Sequence, residues 1–246
     1  MPSAFLRGVK YFFSGLFLLF LPKLRIFVIL PLVMSCILFS LAIYGGWILL
    51  DPLSAFAASL LPQWLAWLHW LLYPLFIVII SIGLFFGFTW VANLLGIPFN
   101  GILSKRVEAH LLGKQISPLT WEEIPNTTQQ LWWGEIQKIL YSLRYFFPLC
   151  VISLIPIINL ISPILWFLWG AWSLYLQYIA YPLENNEVPA KKQQVFLDTQ
   201  RSMGLGFGCC LLLVSLIPVV NFLTMPAAVA GATILWVHEF RSKNFT

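Results

Sequence analysis

All fourteen lysines and arginines of this 246-residue chain fall in four places: before Ile26, within 98–144, within 184–201, and after Glu239. What lies between them is apolar. Two of the uncharged runs, Ile26 to Leu50 and about Leu65 to Leu95, exceed the roughly 20 residues a helix needs to cross a hydrocarbon core. With 60% hydrophobic residues and 9% charged, and a mean hydropathy of +0.87, the chain has too few polar side chains to cover a soluble globule. It reads as an all-α integral membrane protein. Twelve tryptophans and sixteen prolines agree, since Trp collects at membrane interfaces and Pro is tolerated in spans.

The same charge placement predicts topology. No Lys or Arg lies between the two long runs, so the positive-inside rule puts both termini and the two polar segments in the cytoplasm, with Asp51 to Gln63 outside. Trp64, Trp67 and Trp70 form the interfacial belt of the second span, and Pro74 is expected to bend it. At the N-terminus, Arg7 and Lys10 precede the apolar run Tyr11 to Leu21 much as in a signal peptide. Lys23 and Arg25 follow at once, with no small-residue cleavage site. Ala4 to Leu21 is therefore expected to be an amphipathic or partly inserted helix, with Gly8 and Gly15 offering a close packing face.

A second feature is a repeat. SLIPIINLISP at Ser153 to Pro163 returns as SLIPVVNFLTMP at Ser215 to Pro226, each copy inside a long apolar stretch. Proline and asparagine in mid-span predict two short helices joined at Asn159 or Asn221. Paired, interrupted apolar segments point to a solute path in transport proteins. Each unit enters and leaves on the cytoplasmic side, either as two full crossings or as a hairpin inserted part-way. The arm from Tyr145 to Pro156 reaches about 18 Å at 1.5 Å per residue, short of a core of about 30 Å, which favours the hairpin. The expected organisation is one membrane domain over 1–246: an N-terminal helix and turn (1–25), two transmembrane helices (26–97), cytoplasmic helices (98–144), hairpin 1 (145–183), a cytoplasmic segment (184–204), hairpin 2 (205–238) and a tail (239–246).

Candidate chemistry is sparse. In the cytoplasmic segment a helix is expected over Phe99 to Gly113, and Glu135 and Lys138 share a helical face, with Arg144 further along. That group is either an ordinary solvated ion pair or a charged entrance for anions. At Pro22-Lys23-Leu24-Arg25 the chain breaks and a new helix starts. Free backbone N–H groups, the positive dipole end and two cations would there make an oxyanion site. The alternative is that Lys23 and Arg25 only anchor the chain to lipid phosphates. Cys36, Cys150, Cys209 and Cys210 lie in apolar stretches and read as small hydrophobes. His69, His110 and His238 are scattered without a catalytic or metal-binding spacing, and there is no phosphate-binding G-x-x-x-x-G-K-[ST] loop. No enzyme activity, cofactor or nucleic-acid partner is expected.

The string PKLRIFVILPLV at Pro22 to Val33 resembles the N-terminal motif of the CysZ family of bacterial sulfate permeases. Further similar stretches follow in order: PFNGIL from Pro98 with Glu108 and Gly113 downstream, the Glu135–Lys138 pair, PILWFLWGAW from Pro163, QYIAYPLENNEVPAK from Gln177, and MPAAVAGATILWV from Met225. The resemblance implies an inner-membrane protein importing sulfate for cysteine synthesis, with two long spans and partly inserted hairpins, assembled as a homodimer or larger homo-oligomer. It also implies a sulfate site at Lys23, Leu24 and Arg25. Lys23 stands where the family usually has Gly, and Ile26 where it has a second Arg, so one planar donor is exchanged for a flexible cation. Asn159, Asn221, Glu135, Lys138 and Arg144 are the pathway candidates. A non-transporting scaffold fits the composition and topology equally well, and Arg25-sensitive flux distinguishes the two.

Overall fold

The computed structural model describes residues 3–22, 24–59, 69–114, 143–155 and 158–241. Among them every regular element is helical, as expected of a chain whose backbone must satisfy its hydrogen bonds without water. In order these are α1 (Ala4–Leu18), α2 (Ile26–Ser59), α3 (His69–Leu111) and α4 (Leu143–Ser153). After a 3₁₀ turn (Ile158–Leu160) come α5 (Ser162–Asn185), α6 (Ala190–Thr199), α7 (Arg201–Ser215), α8 (Pro218–Leu235) and a π-helical turn (Trp236–Phe240).

The chain divides into two compact units, residues 30–96 and the remainder. The first holds most of α2 and α3, where a Cβ at Gly46 would sit 2.9 Å from a Leu84 methyl and 3.0 Å from Ile80. Ile26–Phe56 is long and apolar enough to cross a bilayer, the one helix among the described residues that is. It is no buried core helix, because Ile37, Leu41, Tyr44 and Trp47 are all exposed. Within α3 the apolar stretch Pro74–Gly87 is shorter. The protein is a membrane protein.

Both long helices outrun their expected ends. α2 continues through Asp51 and Pro52 to Ser59, so Asp51 lies within the helix rather than in a connection. α3 runs through Pro98 to Leu111, where the sequence suggests a separate helix from Phe99. A mid-helix proline costs about 3 kcal/mol. Phe99, Ile102, Leu103 and Val107 are all buried downstream, and at about 1.5–3 kcal/mol per large side chain their burial outweighs that cost. The stop is where the sequence puts it: Gly113 takes φ +68°, the left-handed conformation that glycine supplies after a helix.

The second unit is built around α1, α5, α7 and α8. Ser3 caps α1 by accepting the Leu6 N–H at 3.4 Å. Gly8, Phe12 and Gly15 form its buried face. A Cβ at Gly8 would land on the Met203 carbonyl oxygen, and one at Gly15 on the backbone of Ala227 and Gly231. Helix α1 therefore lies backbone to backbone on α7 and α8, as its glycines suggested. Phe12, Phe207 and Tyr175 fill the centre with edge-on ring contacts, centroids 5.9 and 6.0 Å apart.

Both repeat copies fold back as antiparallel helix pairs. In the first, the Ser153 hydroxyl meets that of Ser162 at 2.6 Å and accepts from Trp166 Nε1 at 2.9 Å, while Phe146 packs on Trp166 and Trp169. In the second, the ring of Phe207 on α7 lies 3.1 Å from where a Gly231 Cβ would stand on α8. The joints differ from expectation. Asn159 does lie in the connecting turn, but Asn221 sits inside α8, its N–H donating to Ile217 O at 2.9 Å. Pro218 at the first helical position starts α8 early, because its fixed φ is already helical and its missing N–H has no intrahelical partner to lose. The break falls instead at Leu216 and Ile217, both exposed.

Candidate functional site: the Pro22 turn and a buried ion-pair seam

Helix α1 ends in a tightened turn. Phe20 and Leu21 donate back to Phe17 O and Leu18 O, Leu24 and Arg25 both donate to Leu21 O, and Phe27 donates to Leu24 O. The N–H groups expected to be free at this helix start are thus already occupied at Leu24, Arg25, Phe27 and Val28. Leu24 is fully buried and anchors the turn. Arg25 is exposed, and its Nε donates to Phe20 O at 2.8 Å. That bond holds the guanidinium at its Nε, and Arg25 makes no other side-chain hydrogen bond among the described residues. Lys23 lies outside the described residues.

Beside Arg25 is a cavity of about 270 Å³, whose other walls are Leu16, Leu19 and Phe20 from the end of α1, Val28 and Ile29 from α2, and Leu223 from α8. The lining is almost wholly apolar, with next to no polar surface contributed by Arg25. Leu223 comes from the second repeat copy, two residues beyond Asn221, so that copy reaches the Pro22 turn even though Asn221 itself is exposed and does not line the cavity.

A second polar assembly, which no local pattern announces, ties α1 and α3 to the turn at Trp236–Phe240 and the residues beside it. Glu239, in the π-helical turn, accepts from Arg7 Nη1 at 2.6 Å and from the Tyr11 hydroxyl at 3.0 Å. Glu108 on α3 accepts from Arg241 Nη1 at 2.6 Å and from Asn186 Nδ2 at 2.8 Å. Both carboxylates are buried, and each is matched by one guanidinium, as buried charges require. On α3 and α8 the buried hydroxyls of Ser104 and Thr233 meet at 2.9 Å, while Asn185 donates to Gly101 O at 2.9 Å and Asn100 donates to the Tyr181 hydroxyl at 3.4 Å. Arg106 is also buried there. Burial and the negative charge of Glu239 push the Tyr11 hydroxyl up to about 12, so it stays a hydrogen-bond donor at any physiological pH. Helix α1, at 15 residues, is too short to span.

The signals for this seam were local and individually weak. Arg7 and Tyr11, like Ser104 and Glu108, are four apart and so share a helix face. Nothing in their spacing names partners more than a hundred positions away. Of the other sequence candidates, Arg144 is exposed at the start of α4, and Asn159 is exposed at the tip of the first hairpin. Glu135 and Lys138 lie outside the described residues. Neither Arg144 nor Asn159 lines the cavity at the Pro22 turn. The cysteines are unpaired, with Cys210 buried and Cys36 exposed.

Comparison with known proteins places this arrangement. The family model described as "Sulfate transporter CysZ/Etoposide-induced protein 2.4" matches residues 11–226. The chain is 38% identical to Sulfate transporter CysZ of Pseudomonas fluorescens over 99% of its length and 98% of the relative's. It is 38% identical to the Pseudomonas aeruginosa PAO1 protein of that name, covering 97% of each chain. With Sulfate transporter CysZ of Salmonella enteritidis the identity is 40%, over 96% of this chain and 94% of the relative. The family model covers the Pro22 turn and both repeat copies, the relatives cover nearly the whole chain, and the chain belongs to the CysZ sulfate-transporter family.

Proposed function

We propose that this protein carries sulfate across a bacterial inner membrane, supplying the anion for reduction into cysteine. The observation that carries the reading is Arg25: a guanidinium fixed at its Nε, set against an apolar cavity, in a chain whose relatives are sulfate transporters over almost its whole length. Sulfate offers oxygens that pair with a guanidinium fork. Lys23 adds a point charge, and Leu24 holds the turn from beneath. Because the backbone N–H groups around Leu24 are occupied, capture here depends on side-chain cations.

Onward from the turn, the path runs past the second hairpin and Asn221, with Asn159, Arg144 and the Glu135–Lys138 pair as further wall candidates. Two full spans, both termini in the cytoplasm, partly inserted hairpins and a homodimer or larger homo-oligomer complete the proposal. Sulfate carries two charges, so an inside-negative potential opposes its entry by about 4.6 kcal/mol per 100 mV. Uptake therefore needs rapid consumption inside or a coupling ion.

The test is sulfate flux into proteoliposomes of purified protein, with empty vesicles as baseline and Arg25→Ala alongside. Flux above baseline that falls at least about tenfold in Arg25→Ala, the loss of one charge-assisted contact, supports the proposal. Absence of flux in folded wild type overturns it in favour of a non-transporting scaffold.

A further inference from the structure

A second cavity, of about 380 Å³, opens on the other hairpin, between α4, α5 and the start of α7. Its lining changes character along one axis. At the tip side of the hairpin the walls are Leu149 and Leu165, followed by Leu168; next come Trp169 and Trp172; at the far end stand Asp198 and Arg201. The hairpin tip beyond it exposes Leu154 (81%) and Leu160 (88%), surface that only lipid tails or another apolar partner would accept. From Leu165 to Trp172 the helix rises about 10 Å. The order of aliphatic wall, aromatic band and charged end is that of a membrane leaflet from tails to headgroups.

The charged end has a composition of its own. Arg201 Nη2 and Asp198 Oδ1 are 2.6 Å apart and both side chains are exposed, so this end presents a cation and a carboxylate side by side.

From this we infer that the cavity binds one phospholipid bearing a primary ammonium, of the phosphatidylethanolamine class. The phosphate faces Arg201, and the ammonium donates to Asp198. The first carbons of an acyl chain lie along Leu168, Leu165 and Leu149. An anionic lipid without an ammonium leaves Asp198 facing negative charge, and a quaternary choline cannot donate to it. The same carboxylate makes the cavity a poor sulfate site. The assignment rests on this hairpin lying in the bilayer and is independent of whether the protein conducts sulfate.

The experiment is native mass spectrometry of the full-length, delipidated protein titrated with equimolar phosphatidylethanolamine, phosphatidylcholine and phosphatidylglycerol of matched chains. One bound phosphatidylethanolamine is expected at about twofold to fivefold over either competitor, the discrimination of a single exposed charge contact. Asp198→Asn brings the ratios to about one. Asp198 is exposed, so its variant tests recognition rather than folding. Equal binding of the three lipids by wild type, or a preference that survives Asp198→Asn, overturns the inference.

Discussion

Gly15 on α1 lies against the backbone nitrogen of Gly231 on α8, with no side chain between the two helices. A methyl group at position 15 has nowhere to go, since the colliding atoms are main chain and cannot rotate aside. Gly15→Ala is expected to destabilise the protein by about 2 kcal/mol or more, the cost of forcing a packed contact apart. Gly83→Ala is its control, because nothing stands within 4 Å of a Cβ there; it should be neutral or stabilising by up to about 1 kcal/mol. Thermal unfolding in detergent compares the two.

Arg7 and Tyr11 converge on one oxygen of Glu239. Arg7→Gln removes the counter-charge from a buried carboxylate, and a loss of about 1–3 kcal/mol is expected, below that of a wholly buried pair because the Arg7 side chain is 37% exposed. Adding Glu239→Gln should recover part of that loss. A double-mutant cycle with no coupling between the two positions refutes the pairing.

Tyr11 also gives the protein a pH dependence. Its hydroxyl is held at about 12 in the folded state, raised from 10.0 by burial and by Glu239. The folded state therefore keeps this proton longer than the unfolded chain. Its contribution is fully present below pH 10 and is lost as pH rises towards 12. Unfolding midpoints measured from pH 9 to pH 12 should fall for wild type and fall less steeply for Tyr11→Phe.

The two repeat copies differ in what their matching hydroxyls do. Ser162 bonds across the first hairpin to Ser153, whereas Thr224, at the same place in the second copy, bonds only to Val220 O in its own helix. Ser162→Ala should cost about 1 kcal/mol, the usual worth of a hydrogen bond, and Thr224→Val close to nothing. Equal losses at the two positions, read as unfolding midpoints, contradict this asymmetry.

Tyr175 carries a buried hydroxyl that makes no hydrogen bond among the described residues. Tyr175→Phe removes an unsatisfied polar atom without changing the ring that packs on Phe207 and Trp172. A gain in stability of up to about 1 kcal/mol is expected. A clear loss would reveal an acceptor for that hydroxyl.

What the sequence disclosed follows the range of the physics involved. The glycine face of α1, the stop at Gly113 and the break at Pro22 depend on a few neighbouring residues, and each is found where local chemistry puts it. The helix that continues through Pro98 was missed because its persistence depends on Phe99, Ile102 and Leu103 finding partners elsewhere in the chain. Asn221 was misplaced by one helical turn, since the preference of Pro218 for a first helical position outweighed the symmetry of the repeat. At the Pro22 turn the cation was legible, but the state of the backbone donors was not, because Leu21 O accepts two of them only after the turn closes. The Glu239 and Glu108 pairs join residues 232 and 133 positions apart, and no pattern in one sequence encodes such pairing.

The distance in sequence between Arg7 and Glu239 also sets an order of events during synthesis. Helix α1 is made well before the glycine groove that receives it, which belongs to α7 and α8, and before the carboxylate that neutralises it, which belongs to the turn at Trp236–Phe240. Until residue 239 emerges, α1 has only the membrane surface to hold its apolar face, and Arg7 and Lys10 only lipid phosphates. The contacts of α1 thus close only after residue 239 has been made. A nascent chain cut short before Trp236 leaves α1 without its carboxylate partner and so marks itself as unfinished.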